Sequence, residues 1–418
     1  MKKAILVGID SKTDSYDITY SLDELEKLAK ECEICVIDRL IQKGTPDNVS
    51  YIGKGKLEEL LVDVKLQEPD IVIFNDELSP LQLRTVSDTL PCEVIDRSLL
   101  ILDIFLRHAR TNEAKLEIKL AHLKYLAPRL SSLRSGFDRQ GGVGMRGPGE
   151  TQLELDRRNI QNDILKIQNE LKEIHKMKTL QIEKRKKNNL KTVALVGYTN
   201  AGKSTTMNKI IDFTDKDDSK KVLSENKLFA TLNTSVRRIE YDGVEFLLTD
   251  TIGFVSKLPT HLIHSFRQTL EEVKEADLII HVLDASSEYV LEQFDITMNV
   301  LNSIGASDKK MLILINKSDL CEALPQVKNL DSLVYSNKND TDVSKLLLYI
   351  RDYLLDDYQK MSLVLPYSDA KMLNFIIENT KVISKIYSND GILLEIMSPI
   401  QHVKKLSLYE VKDDAFTN

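Results

Sequence analysis

Gly197-Tyr198-Thr199-Asn200-Ala201-Gly202-Lys203-Ser204 follows directly on the apolar run TVALV and precedes TTMNKII, which opens with Thr205. The spacing is G-x-x-x-x-G-K-S between a strand-like and a helix-like segment. Glycines let the backbone wind so that N–H groups point inward onto phosphates, and a helix N-terminus adds positive potential. Lys203 would reach the β- and γ-phosphates, and the Ser204 hydroxyl would bind Mg²⁺. The alternative is a plain glycine turn, which the strand-loop-helix context disfavours.

Three further pieces occur in the right order. Asp250-Thr251-Ile252-Gly253 ends the apolar run FLLTD. A carboxylate at a strand's C-terminal edge can hold magnesium through water, and the Gly253 N–H can approach a γ-phosphate with no side chain in the way. Asn316-Lys317-Ser318-Asp319 follows MLILI. The Asp319 carboxylate suits the N1–H and N2–H₂ donors of guanine, which adenine lacks, so the expected nucleotides are GTP and GDP. Lys317 can lie along the base, and Asn316 can pin the phosphate loop. Ser336-Asn337 offers backbone N–H groups to the guanine O6. Between the loop and DTIG lies KLFATLNTSVRRIEY, which contains Phe229, Ala230, Thr231, Leu232 and Asn233. A segment here usually supplies a hydroxyl to magnesium; spacing leaves Thr231 and Thr234 both open.

The position after Gly253 is Phe254, whose side chain cannot orient a water. Either the chain is not a nucleotide hydrolase, or it hydrolyses differently, or something else supplies the missing help.

The elements that must hold these residues read clearly from periodicity. A length of 418 residues predicts about two to four domains. Continuous apolar strands alternate with helices over 191–356, which predicts a parallel sheet covered on both faces. Residues 1–112 show the same alternation in AILVGI, EICVIDRL, DIVIFND and CEVIDR, with helices between them; Ser79-Pro80 marks one helix start. From about 99 to 130 the pattern is helical. Ile160, Ile164, Ile167, Leu171 and Ile174 then repeat at 4-3-4-3 along a helix expected over 151–185. The region 113–190 is therefore read as an antiparallel helical hairpin, with a glycine-rich tip at 131–150. Residues 357–418 form a small appended α/β domain without a catalytic constellation.

Composition narrows the class. A hydrophobic fraction of 42% and a charged fraction of 29% describe a globular chain, and no run reaches the roughly 18 apolar residues of a membrane span. The opening MKKAILVGID is too short in its apolar part for a secretory leader, so a first strand and a cytoplasmic protein are expected. The net charge of −7 argues against wholesale coating of nucleic acid. Four cysteines make no disulfide framework, and Cys32-Glu-Ile-Cys35 lacks a second CxxC or a histidine pair. His108, His122 and His175 show no metal-ligand spacing.

GYTNAGKST, LFATLNTSVR, DTIGFVSKLP and NKSD resemble the translation-factor-related GTPases called HflX. The likeness extends to YIGKGKLEEL, FNDELSPLQLR, VIDRSLLILDIFLRHARTNEAKLEIKLAHLKYLAPRL and RQGGVGMRGPGETQLELDRR, covering most of 1–320. The resemblance implies a P-loop GTPase that binds the large (50S) ribosomal subunit and its rRNA. It would act on stalled or stressed ribosomes by subunit dissociation, or in subunit assembly. It favours Thr231 as the magnesium-linked switch residue and, with Lys203 and Gly253, as part of the catalytic set. Asn-Thr-Ser replaces the usual Asp-Pro-Thr after FATL, and Asn337 replaces a usual alanine at what is mainly a backbone contact. An asparagine at position 200 helps bind K⁺ in some related GTPases; its other reading is turn stabilisation. Over 131–149, Arg134, Arg139 and Arg146 stand against a single acid, Asp138, and suit an RNA contact. A GTPase module serving an RNA-modification partner would need a chemical site outside 191–356, and none is seen. The hairpin seam is read as an intrachain contact, so the free protein is expected to be a monomer.

Overall fold

The computed structural model describes residues 1–11, 17–130, 152–187, 190–214, 235–257, 271–321, 323–327, 330–388 and 391–411. The first sheet contains β1 (Lys2–Asp10), β2 (Ile34–Lys43), β3 (Ile71–Phe74) and β4 (Glu93–Asp96), all parallel, in the order β2-β1-β3-β4. Successive strand residues point to opposite faces. Ala4 and Leu6 therefore join α1 (Ile18–Glu31) and α4 (Arg97–His108), while Ile5, Val7 and Ile9 join α2 (Lys54–Gln67) and α3 (Pro80–Thr89). Ser79 caps α3 as its sequence predicts: its side chain accepts from the Gln82 N–H, and the Gln82 side chain accepts from the Ser79 N–H.

The helical stretch expected from 99 to 130 is broken. α4 ends at His108, and α5 (Asn112–Leu126) restarts behind Thr111, whose hydroxyl accepts from the Ala114 N–H. A capping threonine satisfies a first-turn donor that a continuous helix would bond internally, which stabilises a new start. The long helix α6 runs Gln152–Lys187. Its Ile167 and Leu171 bury against Leu120, with Leu116, Leu123 and Ile164 around them, so the seam is the hairpin contact within one chain.

The second sheet has six strands in the order β10-β9-β8-β5-β7-β6. β5 (Lys191–Gly197), β7 (Val244–Asp250), β8 (Leu278–Asp284), β9 (Met311–Asn316) and β10 (Asp331–Val334) are parallel. β6 (Ser235–Tyr241) is antiparallel to β7, so the sheet is mixed rather than wholly parallel. This edge strand comes from the segment read for its switch threonines; its short turn at Asp242 and Gly243, both at positive φ, lets the chain double back. One face packs on α7 (Lys203–Thr214) and α9 (Asp340–Leu355), the other on α8 (Val290–Ser303). A third, antiparallel sheet of β11 (Tyr358–Leu365), β13 (Gly391–Pro399) and β12 (Lys381–Ser388) carries α10 (Ala370–Asn379) and α11 (Ile400–Leu406).

Candidate nucleotide site

β5 ends at Gly197, whose φ is +146°. A Cβ there would lie 2.3 Å from the Val282 carbonyl oxygen, so only glycine fits between the strands as the loop departs. Asn200 takes the left-handed conformation, φ 61°, on the exposed crest; asparagine tolerates this better than most residues, as the turn-stabilising reading requires. Ala201 is buried, Thr205 is exposed on the first turn of α7, and Lys203 is buried. The Lys203 ammonium donates to the Gly197 carbonyl at 3.0 Å and the Tyr198 carbonyl at 2.7 Å. Burial pushes its pKa down to about 8, against the opposing pull of Asp250. The Ser204 hydroxyl donates to Asp250 Oδ2 at 2.6 Å. Two hard oxygen donors thus meet at the first turn of α7, a set that fits Mg²⁺.

The DTIGF segment lies on the phosphate loop. The Phe254 N–H donates to the Gly197 carbonyl at 3.1 Å, and the Thr199 N–H donates to the Phe254 carbonyl at 2.8 Å. A Cβ on Gly253 would come within 2.8 Å of Thr199 Cα and 3.0 Å of Lys203 Nζ, so its glycine permits this approach. Thr251 spends its hydroxyl on the Leu195 carbonyl at 2.7 Å. The Phe254 ring is buried with Val196, Tyr198 and Leu283. Its orientation agrees with the expectation that it takes no part in holding water. On the same face of the sheet His281 is fully buried; burial, then Lys203, holds its pKa down to about 3, so it is a neutral imidazole.

The residues expected to read the base gather at the ends of β9 and β10. The Asn316 Nδ2 donates to the Ala201 carbonyl at 2.8 Å, the strap expected of it. Lys317 adopts φ 59° and its ammonium meets Asp284 at 2.7 Å. Ser318 donates its hydroxyl to the Tyr335 carbonyl at 2.9 Å. Asp319 accepts from the Ser336 hydroxyl at 2.7 Å and from the Lys338 ammonium at 2.6 Å, and these two donors hold its pKa below the usual carboxylate value. The Ser336 N–H donates to Asp342 at 3.2 Å, so this backbone donor is engaged within the protein. Phe229, Ala230, Thr231, Leu232 and Asn233, and the tip arginines Arg134, Arg139 and Arg146, lie outside the described residues.

Sequence reading missed what the loop's second residue touches. The Tyr198 hydroxyl donates to Glu24 of α1, and accepts from the Ser256 N–H at 2.7 Å. The Ser256 hydroxyl also donates to Glu24. Arg97, at the start of α4, pairs with Glu24 and donates to Ser256 Oγ at 2.9 Å and Asn75 Oδ1 at 3.0 Å. Glu24 and Arg97 are 5% and 1% exposed, so this charge pair sits in a medium where breaking it is costly. Burial, and then Glu24, raises the Tyr198 pKa well above its ordinary value. Ile252 and Val255 insert into the apolar cluster of the first sheet, Lys257 meets Asp76 at 2.6 Å, and Tyr20 stacks on Tyr289 at 4.0 Å. Glu24 lies on an amphipathic helix and Arg97 beside a strand end, which as sequence looks like ordinary surface charge.

A smaller difference concerns His175. The fold brings it to Glu113 and Glu117, with ligand-type atoms within 4.8 Å of one another, although its sequence spacing suggested nothing. Lys178 already meets Glu113 there at 2.6 Å. Cys32 is buried, as a packing residue would be, whereas Cys35 is exposed.

Three family models match in succession: "GTP-binding GTPase N-terminal" over 19–106, "GTP-binding GTPase Middle Region" over 108–185 and "50S ribosome-binding GTPase" over 192–317. The chain is 42% identical over 394 residues to a GTPase HflX of Caldanaerobacter subterraneus subsp. tengcongensis, covering 94% of this chain and 90% of that one. The chain belongs to the HflX GTPase family. To the GTPase HflX of Escherichia coli it is 35% identical over 419 residues, covering 98% and 96% of the two chains. A crystal structure of SsGBP with GDP matches at 25% identity and a TM-score of 0.46, covering 85% of this chain and 99% of that one. As an HflX GTPase the protein binds and hydrolyses GTP on an α/β P-loop fold. Among the described residues no helix is long and apolar enough to cross a membrane.

Proposed function

We propose that this GTPase is a nucleotide-driven switch on the large ribosomal subunit, and that its output is the dissociation of stalled or stressed ribosomes. It works in the cytoplasm, as a monomer when free, in four parts at 1–112, 113–190, 191–356 and 357–418. The observation that carries the reading is the shared carboxylate of Glu24. It joins Tyr198 of the phosphate loop and Ser256 beyond DTIGF to the first sheet, so a change at the γ-phosphate is felt there.

In this reading Gly197, Tyr198, Thr199, Asn200, Ala201, Gly202, Lys203, Ser204 and Thr205 cradle the phosphates. Lys203 exchanges its two carbonyl partners for phosphate oxygens, and the Gly253 N–H meets the γ-phosphate. Asp319 exchanges Ser336 and Lys338 for the base N–H groups. Ser204, Asp250 and Thr231 hold Mg²⁺, which neutralises charge on the β- and γ-oxygens when bound. Because Phe254 is turned into the core, isolated turnover is slow, and water orientation comes with the ribosomal subunit. Asn200 is the residue through which K⁺ would act; equal rates in KCl and NaCl at fixed Mg²⁺ remove that role. Arg134, Arg139 and Arg146 bind rRNA from the hairpin tip.

Sedimentation of 70S ribosomes with the protein and a non-hydrolysable GTP analogue tests the function. Separation into subunits with the analogue and not with GDP is expected. Binding to free large subunits without separation would favour an assembly role instead.

A further inference from the structure

Asn337 is expected from sequence to matter little, because the contact at its position is mainly backbone. The structure gives its side chain partners on both ends. The Tyr335 hydroxyl donates to Asn337 Oδ1 at 3.1 Å, and Asn337 Nδ2 donates to Asn316 Oδ1 at 3.3 Å. Asn316 in turn donates through Nδ2 to the Ala201 carbonyl at 2.8 Å. Tyr335 and Asn316 are both fully buried, so neither has water as an easy substitute partner.

The order of donors and acceptors makes this a directed relay. Tyr335 takes the Asn337 oxygen, which commits the Asn337 amide nitrogen to Asn316. That contact takes the Asn316 oxygen, and so commits the Asn316 nitrogen to Ala201. Without it no hydrogen bond among the described residues holds the Asn316 oxygen away from the loop, and in the reversed orientation two carbonyl oxygens would face each other. The Ala201 carbonyl and the Gly202 N–H belong to one planar trans peptide, so they point in opposite directions. Drawing the carbonyl out toward Asn316 aims the Gly202 N–H into the cradle. Both amides also lie against Gly202: a Cβ there would meet Asn316 Nδ2 at 2.2 Å and Asn337 Nδ2 at 3.3 Å, and its φ is +100°.

We infer that Asn337, held by Tyr335, is a positioning residue for nucleotide binding: it sets the Asn316 amide, and through it the phosphate-loop peptide that presents the Gly202 N–H to the phosphates. The inference rests on the site reading above and deepens it. It acts through the phosphates and not through the base, which separates it from Asp319.

The test is stopped-flow dissociation of fluorescent GDP and IDP, with Mg²⁺, from the full chain and its variants. Inosine keeps the N1–H but lacks the 2-amino group of guanine, so the pair reports on base reading while the phosphates stay constant. Asn337→Ala is expected to speed release of both nucleotides about five-fold with their ratio unchanged, and to lower the melting temperature of the nucleotide-free protein slightly, because the buried Tyr335 hydroxyl and Asn316 oxygen each lose a partner. Tyr335→Phe is expected to speed both about two- to three-fold, and to add nothing in the Asn337→Ala background, because it acts through that residue. Unchanged release from Asn337→Ala, a selective effect on GDP, or additive effects of the two substitutions would each overturn the relay. Failure of the unaltered chain to retain GDP would instead remove the site reading, and the relay with it.

Discussion

The first and second sheets of this chain use the carboxyl ends of their parallel strands in opposite ways. In the second sheet, β5 ends in a loop of glycines and a buried lysine, and β7 and β9 deliver Asp250 and Asn316 beside it. In the first sheet the same edge holds Asn75 and Asp76 after β3, and Arg97 after β4. Its occupant is protein: Arg97 reaches Ser256, and Asp76 reaches Lys257. Open α/β sheets bind ligands at this edge. Here the first sheet binds the loops of the second, so the two edges face each other through Glu24. The glycines tell them apart. At Gly197 an added Cβ would strike a backbone carbonyl at 2.3 Å, whereas at Gly8 of β1 it would meet the end of the Ile18 side chain at 2.9 Å. One glycine exists for the path of the backbone, the other for the approach of a helix.

Four substitutions would break or sharpen the contrast. Arg97→Ala strands the buried Glu24 carboxylate and should cost about 3–5 kcal/mol of stability by urea denaturation. A loss below about 1 kcal/mol would mean that the first sheet's edge is not held by this pair. Lys203→Ala removes a cation of the other edge, also buried. Its effect should fall on binding, with GDP affinity in calorimetry weaker by about 2–3 kcal/mol, while the melting temperature holds or rises because a desolvated charge is gone. Equal damage to folding and to binding would erase the distinction. The smallest effect is expected from Gly8→Ala, at about 1 kcal/mol or less, since Ile18 can shift. Gly197→Ala should exceed it, at about 1–3 kcal/mol in the same denaturation experiment, because its φ is disallowed for alanine and its neighbour is backbone.

Much of this architecture was readable in advance. The parallel strands of the first two sheets announce themselves as apolar runs, Ser79-Pro80 as a helix start, and the hairpin seam as a 4-3 repeat. β6 was hidden because Arg237, Arg238 and Glu240 interrupt its apolar positions, as suits an edge strand with one solvated face. The break before α5 could have been found from Thr111 ahead of Glu113, a first-turn signature that a continuous apolar pattern obscured.

Local spacing alone pointed to the phosphate loop and to the candidates for a magnesium carboxylate and a guanine-reading aspartate, because each depends on backbone geometry within a few residues of a strand end. What only the tertiary structure decided is what those residues lean on. Glu24 and Arg97 are 73 positions apart, and Arg97 is 159 from Ser256. Nor did anything in the sequence place Tyr335, Asn337 and Asn316 in one line to Ala201. A buried charge pair or a directed amide is specified by the burial and by the partner, and both exist only after the chain has brought distant strand ends together.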